Sequence, residues 1–180
     1  MPLLLLLGGA RSGKSTLAVS LACAQPHPVV FVATAEALDD DMAGRIARHR
    51  NERPAAWTTV EEPRALAVAL AAAPARACII VDCLTLWAAN LLGDGLAAPE
   101  IERLSGEAAA VAARRDGWTI AVSNEVGLGI VPANDLARSY RDLLGRVNAR
   151  WAAAADRALL VVAGRTLPLD PAPASLEGLA

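Results

Sequence analysis

The run GGARSGKS, from Gly8 to Ser15, constrains this chain more than any other stretch of it. Gly8, Gly13, Lys14 and Ser15 satisfy the spacing G-x-x-x-x-G-K-[ST], with the apolar residues Leu3 to Leu7 before it and a helix-forming run, Ser15 to Ala24, after it. Glycines let the backbone turn tightly with its amide hydrogens inward, so main-chain donors and a helix start can hold a phosphate chain. Gly9, Ala10, Arg11 and Ser12 complete this cradle, Arg11 either touching phosphate or lying on the solvent side. Lys14 reaches the β and γ phosphates, and the Ser15 hydroxyl is placed to join a magnesium shell. An ordinary glycine-rich turn would need neither the strand nor the helix.

A chain of 180 residues suits one domain, with at most a small appendage. Hydrophobic residues make up 54% of it, which excludes disorder. No run approaches the ~18 apolar residues of a membrane span, and Leu3 to Leu7 leads into a phosphate loop and not a signal-peptide cleavage site. A cytoplasmic protein without stable membrane insertion is expected. The net charge of -2 and the pI near 5.7 give no general affinity for nucleic acid. Cys23, Cys78 and Cys83 lie in or beside apolar runs without CxxC spacing, and are expected as buried reduced thiols. With two histidines and no Cys/His cluster, a zinc site is not expected.

Val29 to Ala33 reads as a second buried strand, ended by Thr34 after a turn over residues 25–28 that holds His27. Asp39 to Arg50 reads as a helix, capped by Asp39, acidic at its start and basic at its end. Met42 and Ile46 are expected to face the core, while Arg45 and His49 share a more polar side that can look into a cleft. Trp57 to Val60 is a short extended piece, and Glu62 to Ala73 a helix with Pro63 in its first turn. Cys78 to Val81 is a strand ended by Asp82, followed by the helical CLTLWAANLL. A helix over Glu100 to Arg115, open to interruption at Gly106, a strand over Trp118 to Val122, a helix over Asp135 to Ala155 and a strand over Arg157 to Val162 follow. The segment from Leu167 reads as a surface extension. The division is therefore a catalytic nucleotide-binding domain over 1–167 and an extension over 168–180.

Strands separated by helices of these lengths specify an α/β fold with a largely parallel sheet flanked by helices. Ligands in such folds gather at the carboxyl ends of the strands, where Gly8, Thr34, Asp82, Glu125 and Gly164 stand. Asp82, after four apolar residues, suits the carboxylate that holds magnesium or its water; the alternative is a helix cap. Glu125 is either a second acid near magnesium, or a base, or a structural acceptor in its loop. Glu61 and Glu62 are further candidates for acid-base or magnesium work. His49 sits in RIARHRNERP with Arg45, Arg48, Arg50 and Arg53 nearby. A neutral imidazole there can attack phosphorus while guanidinium groups hold phosphate oxygens. A surface or helix-terminal histidine is the plainer reading of the same residues. Trp57, Trp87, Trp118 and Trp151 fit core packing as well as they fit stacking on a base.

Taken together, GGARSGKS, ATAEALDDDMAGRIARHRNERPAAWTTVEEP, VDCLTLWAANLL and VSNEVGLGIVPANDLARSYRDLLGRVNARWAAAAD resemble one family. It is the bifunctional adenosylcobinamide kinase/adenosylcobinamide-phosphate guanylyltransferases of cobalamin biosynthesis. RIARHRNERPAAW and SNEVGLGIVP are far more specific to it than the phosphate loop. The resemblance implies a RecA-like phosphate-loop fold and a homotrimer whose subunits lend surfaces to the active site. It implies phosphoryl transfer from ATP or GTP to adenosylcobinamide, then GMP transfer from GTP to adenosylcobinamide phosphate through a guanylyl-histidine. His49 matches the guanylylated position, Gly8, Gly13, Lys14 and Ser15 the loop, and Asp82 an acidic position suited to Mg2+. The two steps ask for different phosphorus atoms in attack position, so helix 39–50 or its flanks are expected to move, or GTP to bind in more than one pose. A kinase without guanylyltransferase activity and a nucleotide-switch interaction module are the alternatives, and replacement of His49 separates the first from the bifunctional enzyme.

Overall fold

The computed structural model describes residues 2–26, 28–37, 39–51 and 53–171. The readings of His27, of the side chain of Arg45 and of 172–180 fall outside what is described. Seven strands form one sheet in the order β3-β2-β4-β5-β1-β6-β7. They are β1 (Leu3–Leu7), β2 (Val29–Ala33), β3 (Thr58–Glu61), β4 (Cys78–Asp82), β5 (Thr119–Val122), β6 (Arg157–Val162) and β7 (Arg165–Pro168). The first six pair in parallel, and β7 runs antiparallel to β6. The expected α/β architecture with a largely parallel sheet is therefore present.

The apolar runs are continuous because both faces of the central strands are covered. Along β1 the side chains alternate: Leu3, Leu5 and Leu7 enter one core, Leu4 and Leu6 the other. Val30 and Val32 oppose Val29, Phe31 and Ala33 in the same way. The first face is roofed by α3 (Leu66–Ala72), α4 (Leu84–Gly93), α5 (Ala98–Ala113) and α6 (Asp135–Ala154), and it buries Trp87 and Trp151. On the second face α1 (Lys14–Cys23) contributes Ala18 and Ala22, with Trp57 and Trp118 packed at the margin. Each fully buried leucine in these layers contributes roughly 1.5–3 kcal/mol. α2 (Asp40–Asn51) covers little: Met42 and Ile46 are half-buried, as their spacing predicts, and His49 is exposed. Asp39 caps α2 as expected, its carboxylate accepting from the Met42 amide at 2.7 Å.

Several boundaries differ from the sequence reading, each for a local reason. The third helix starts at Leu66 and not Glu62, because the Glu62 carboxylate accepts from the Arg64 and Ala65 amides and closes a turn there. Gly106 does not interrupt α5, whose interior is held by the buried Ile101, Ala108 and Ala109. Cys23 is exposed, contrary to expectation, since it lies off the buried face of α1 that Lys14, Ala18 and Ala22 mark; Cys78 is buried and Cys83 partly so, and all three are free thiols. The principal addition is β7. Ala163 and Gly164, at φ 52° and 75°, form a two-residue turn that returns the chain onto β6, so Leu167 and Pro168 are strand residues and not the start of a surface extension.

Candidate active site

The phosphate loop leaves β1 at Gly8 and enters α1 at Lys14. Gly8 has φ 151°, and a Cβ there would lie 2.2 Å from the Val161 carbonyl, so β6 passes too close for any side chain. The β6–β7 turn also buttresses the loop, the Gly164 amide donating to the Ser12 carbonyl at 2.8 Å. Lys14 is only 7% exposed. Its Nζ donates to the Gly8 and Gly9 carbonyls at 2.8 and 2.7 Å and to Ser12 Oγ at 3.3 Å. Burial pushes the Lys14 pKa down against the pull of Cys83 and Asp82. Gly9, Ala10 and Arg11 form the exposed tip of the loop, with Arg11 at φ 55°.

Asp82 closes β4 beside this loop. Burial raises its pKa above the usual carboxylate range, outweighing the opposing influence of Ser15, His49, Arg53 and Lys14. A cavity of about 390 Å³ brings Ser15, Asp82 and His49 together, with Thr16, Val19, Phe31 and Arg53 as the rest of its lining. His49 thus reaches the phosphate-loop side of the sheet from the last turn of α2.

The other candidates stand around this cluster. Thr34 is fully buried, its hydroxyl donating to the Cys83 carbonyl at 2.7 Å and accepting from the Cys83 amide at 2.8 Å, which pins the chain just after Asp82. Cys83 itself is held up at about 11 by burial and by Asp82, so it stays a thiol. Glu61 is exposed on β3 and paired with Arg50, a contact that ties α2 to the sheet edge. Glu62 is occupied by its turn. The Glu125 amide donates to the Gly8 carbonyl at 3.0 Å, and its carboxylate accepts from the Gly127 amide, the arrangement of a loop acceptor. Trp57 and Trp118 pack on the α1 side of the sheet, outside the lining of the cavity.

Arg53 and Phe31 are the residues that sequence reasoning did not single out. The Arg53 guanidinium lies 3.7 Å above the Phe31 ring, and both line the cavity. Arg53 appeared only as one of four basic neighbours of His49, and Phe31 only as a strand residue; no spacing rule links positions 31 and 53. Among the described residues no cluster of three His, Cys, Asp or Glu side chains could hold a metal. A cation here would take Ser15 and Asp82 from the protein and its remaining oxygens from elsewhere.

A phosphate loop and a cavity-lining histidine near the carboxyl ends of the strands narrow the field, and comparison with known proteins decides it. Residues 4–169 match the family model described as cobinamide kinase / cobinamide phosphate guanyltransferase. The chain belongs to that family. It is 46% identical over 173 residues to the bifunctional adenosylcobalamin biosynthesis protein CobP of Pseudomonas aeruginosa, covering 94% of this chain and 98% of that protein. It is 44% identical to the bifunctional adenosylcobalamin biosynthesis protein CobU of Salmonella typhimurium and 39% identical to that of Escherichia coli, each match covering 90% of this chain and 96% of the relative. The family match ends one residue beyond β7, so the β6–β7 hairpin lies within the matched region.

Proposed function

We propose that this enzyme phosphorylates the aminopropanol hydroxyl of adenosylcobinamide with a nucleoside triphosphate, ATP or GTP. It then transfers GMP from GTP, through a covalent guanylyl-His49, to adenosylcobinamide phosphate, giving adenosylcobinamide-GDP. The observation that carries this reading is the shared cavity: His49, far in sequence from the phosphate loop, lines one space with Ser15 and Asp82. Family membership over 4–169 supports both activities.

In this reading the loop amides and the start of α1 bind the phosphate chain. Lys14 exchanges its bonds to the Gly8 and Gly9 carbonyls for phosphate oxygens and so steadies the transferred group in the kinase step. Ser15 and Asp82 suit Mg2+, being one hydroxyl and one carboxylate in the lining of the same cavity, both hard oxygen donors. When bound, that ion neutralises charge on the phosphate oxygens. His49 supplies the nucleophile for the second step, and its exposed position lets an acceptor reach the adduct. Thr34 and Glu62 position backbone, Glu61 holds Arg50 beside His49, and Glu125 shapes the loop that touches Gly8; none of the four is assigned proton transfer.

The catalytic domain, expected over 1–167, is proposed to include the whole of β7 and so to run through Pro168, with the extension following it. Among the described residues no helix is long and apolar enough to cross a membrane, and a cytoplasmic enzyme that does not act on nucleic acid fits this chemistry. A homotrimer is proposed, supported by the exposed apolar side chains Leu128, Ile130 and Val131 on the loop after β5.

Intact mass after incubation with GTP and Mg2+, followed by fragmentation, tests the central claim. One acid-labile GMP on His49 is expected. His49→Ala should lose the adduct and keep kinase turnover; an adduct elsewhere takes the nucleophile's role from His49, and none under conditions where GTP binds overturns guanylyl transfer and leaves a kinase.

A further inference from the structure

In the sheet β5 lies between β1 and β4, so its carboxyl end comes up between the phosphate loop and Asp82. The register makes this local: Val122 pairs with Leu6 on one side and with Asp82 on the other. The chain keeps that course past the end of the strand, the Ser123 amide donating to the Leu6 carbonyl at 2.9 Å and the Glu125 amide to the Gly8 carbonyl at 3.0 Å. Side chains therefore go on alternating through this stretch. Val122 enters the core on the α1 face, and Ser123 turns to the opposite face, where its hydroxyl donates to Asn148 of α6 at 2.6 Å. Asn124 returns to the α1 face, on which the cavity gathers Ser15 and Asp82.

The fold grips Asn124 by its backbone. Its amide donates to Thr85 Oγ1 at 2.7 Å and its carbonyl accepts from Asn148 Nδ2 at 3.0 Å, so α4 and α6 fix its position from the far side of the sheet. Its carboxamide is treated differently. Asn90, Asn134 and Asn148 each bond to the protein through theirs. The half-buried Asn124 carboxamide has no hydrogen-bond partner among the described residues. A carboxamide carries an acceptor oxygen and two N–H donors, and leaving all of them unmet in a half-dry site costs stability that a bound ligand would restore.

We propose that Asn124 is a catalytic residue of the kinase step, its carboxamide bridging the acceptor hydroxyl and the γ-phosphoryl group. This rests on the kinase half of the reading above. Nδ2 donates to a γ-phosphoryl oxygen, and Oδ1 accepts the hydrogen of the aminopropanol hydroxyl, which turns a lone pair of that hydroxyl toward phosphorus. The hydroxyl oxygen forms the new P–O bond while the bond from the γ-phosphorus to its bridging oxygen breaks. Nucleoside diphosphate leaves with the electron pair, and the hydroxyl proton passes to solvent. Asn124 stays neutral and exchanges no proton. Phosphoryl transfer of this kind asks for aim more than for a strong base, and a neutral carboxamide on a fixed backbone supplies aim. The neighbouring acid is already engaged, since the Glu125 carboxylate accepts from the Gly127 amide. Guanylyl transfer has its centre elsewhere. The strand order β2-β4-β5 sets Asp82 between Phe31, which lines the cavity with His49, and Asn124. Attack on the α-phosphorus by His49 and attack on the γ-phosphorus beside Asn124 thus fall on opposite sides of Asp82.

The test measures both activities in Asn124→Ala and Asn124→Asp, with ATP and adenosylcobinamide for the kinase step and GTP for the adduct on His49. Asn124→Ala should lower kinase kcat about 100-fold, with the rate of GMP-adduct formation within about threefold of the parent and an unchanged melting temperature. Asn124→Asp keeps the shape, replaces the donor and sets a negative charge against the γ-phosphate, so its kinase kcat should fall at least as far. Parental kinase turnover in Asn124→Ala overturns the assignment. Equal loss of both activities also overturns it: with a lowered melting temperature the side chain is structural, and with an unchanged one it serves nucleotide binding in general. Should Asn124→Ala fail to fold, the aspartate variant decides alone, a parental kinase rate overturning the proposal. A parent enzyme that binds ATP and phosphorylates no adenosylcobinamide overturns the kinase reading itself, and Asn124 with it, a result distinct from the variant-only outcomes.

Discussion

Asp82 shows what the site costs the fold. Its carboxylate ends a buried strand, and burial outweighs every favourable partner, so its folded-state pKa lies above the unfolded value. The folded protein therefore holds this proton more tightly than the unfolded chain does. Between the two pKa values stability falls as pH rises, and the full penalty is present above the folded value. Asp82→Asn, which resembles the protonated acid, should stabilise the enzyme at pH 8 by about 1 kcal/mol, or roughly 2–4 °C in melting temperature. The gain should shrink as pH falls toward the unfolded carboxylate range, where the parent is protonated too. Both transfer activities should drop, because Ser15 loses its ionised neighbour. Melting curves across pH decide the point: an asparagine variant less stable than the parent at pH 8 would show that Lys14, His49 and Arg53 more than repay the burial.

At the scale of elements, the β6–β7 hairpin was the least legible part of the fold and is among the most consequential. Its turn abuts the phosphate loop through Gly164 and Ser12, yet Ala163 carries none of the usual turn signal and Pro168 argues against a strand. Pro168 is tolerated because β7 is an edge strand. Ala163 sits at φ 52°, where an L side chain costs about 1–2 kcal/mol. Ala163→Asn creates the Asn-Gly pair that such turns prefer and should recover roughly 0.5–1 kcal/mol. Urea unfolding checks this; a destabilised variant would mean that the Ala163 methyl makes contacts worth more than the backbone strain. The rest of the fold was legible for a physical reason: β1, β2 and β4 are buried on both faces and so read as unbroken apolar runs. The phosphate loop was legible because its geometry demands particular residues at fixed spacing. His49 was not separable by spacing from a helix-terminal histidine and needed the family resemblance. Arg53 and Phe31 meet only in three dimensions, across 22 positions of sequence, and no periodicity could join them.

The whole molecule leaves one region without an evident reason in a monomer. Leu128 and Ile130 are 84% and 97% exposed, with Val131 and Leu136 beside them in sequence also exposed. The base of this loop is firmly built: Ser123 donates to Asn148, Asn148 to the Asn124 carbonyl, the Asn124 amide to Thr85, and the Glu125 amide to the Gly8 carbonyl. An apolar tip on so fixed a base suits a contact with another copy of the chain, as the proposed homotrimer requires. Its attachment to Gly8 places that contact within reach of the phosphate loop. Leu128→Asp combined with Ile130→Asp removes two apolar anchors worth roughly 1.5–3 kcal/mol each, enough to weaken association about 100-fold or more. Sedimentation should find the parent near three times the 18.6 kDa chain mass and the variant near one, with the variant's melting no longer dependent on concentration. A parent that sediments as a single chain, or a variant that still assembles like the parent, would remove this loop from the interface. Loss of guanylyl transfer together with assembly would mean that the neighbouring subunit completes the cavity around His49.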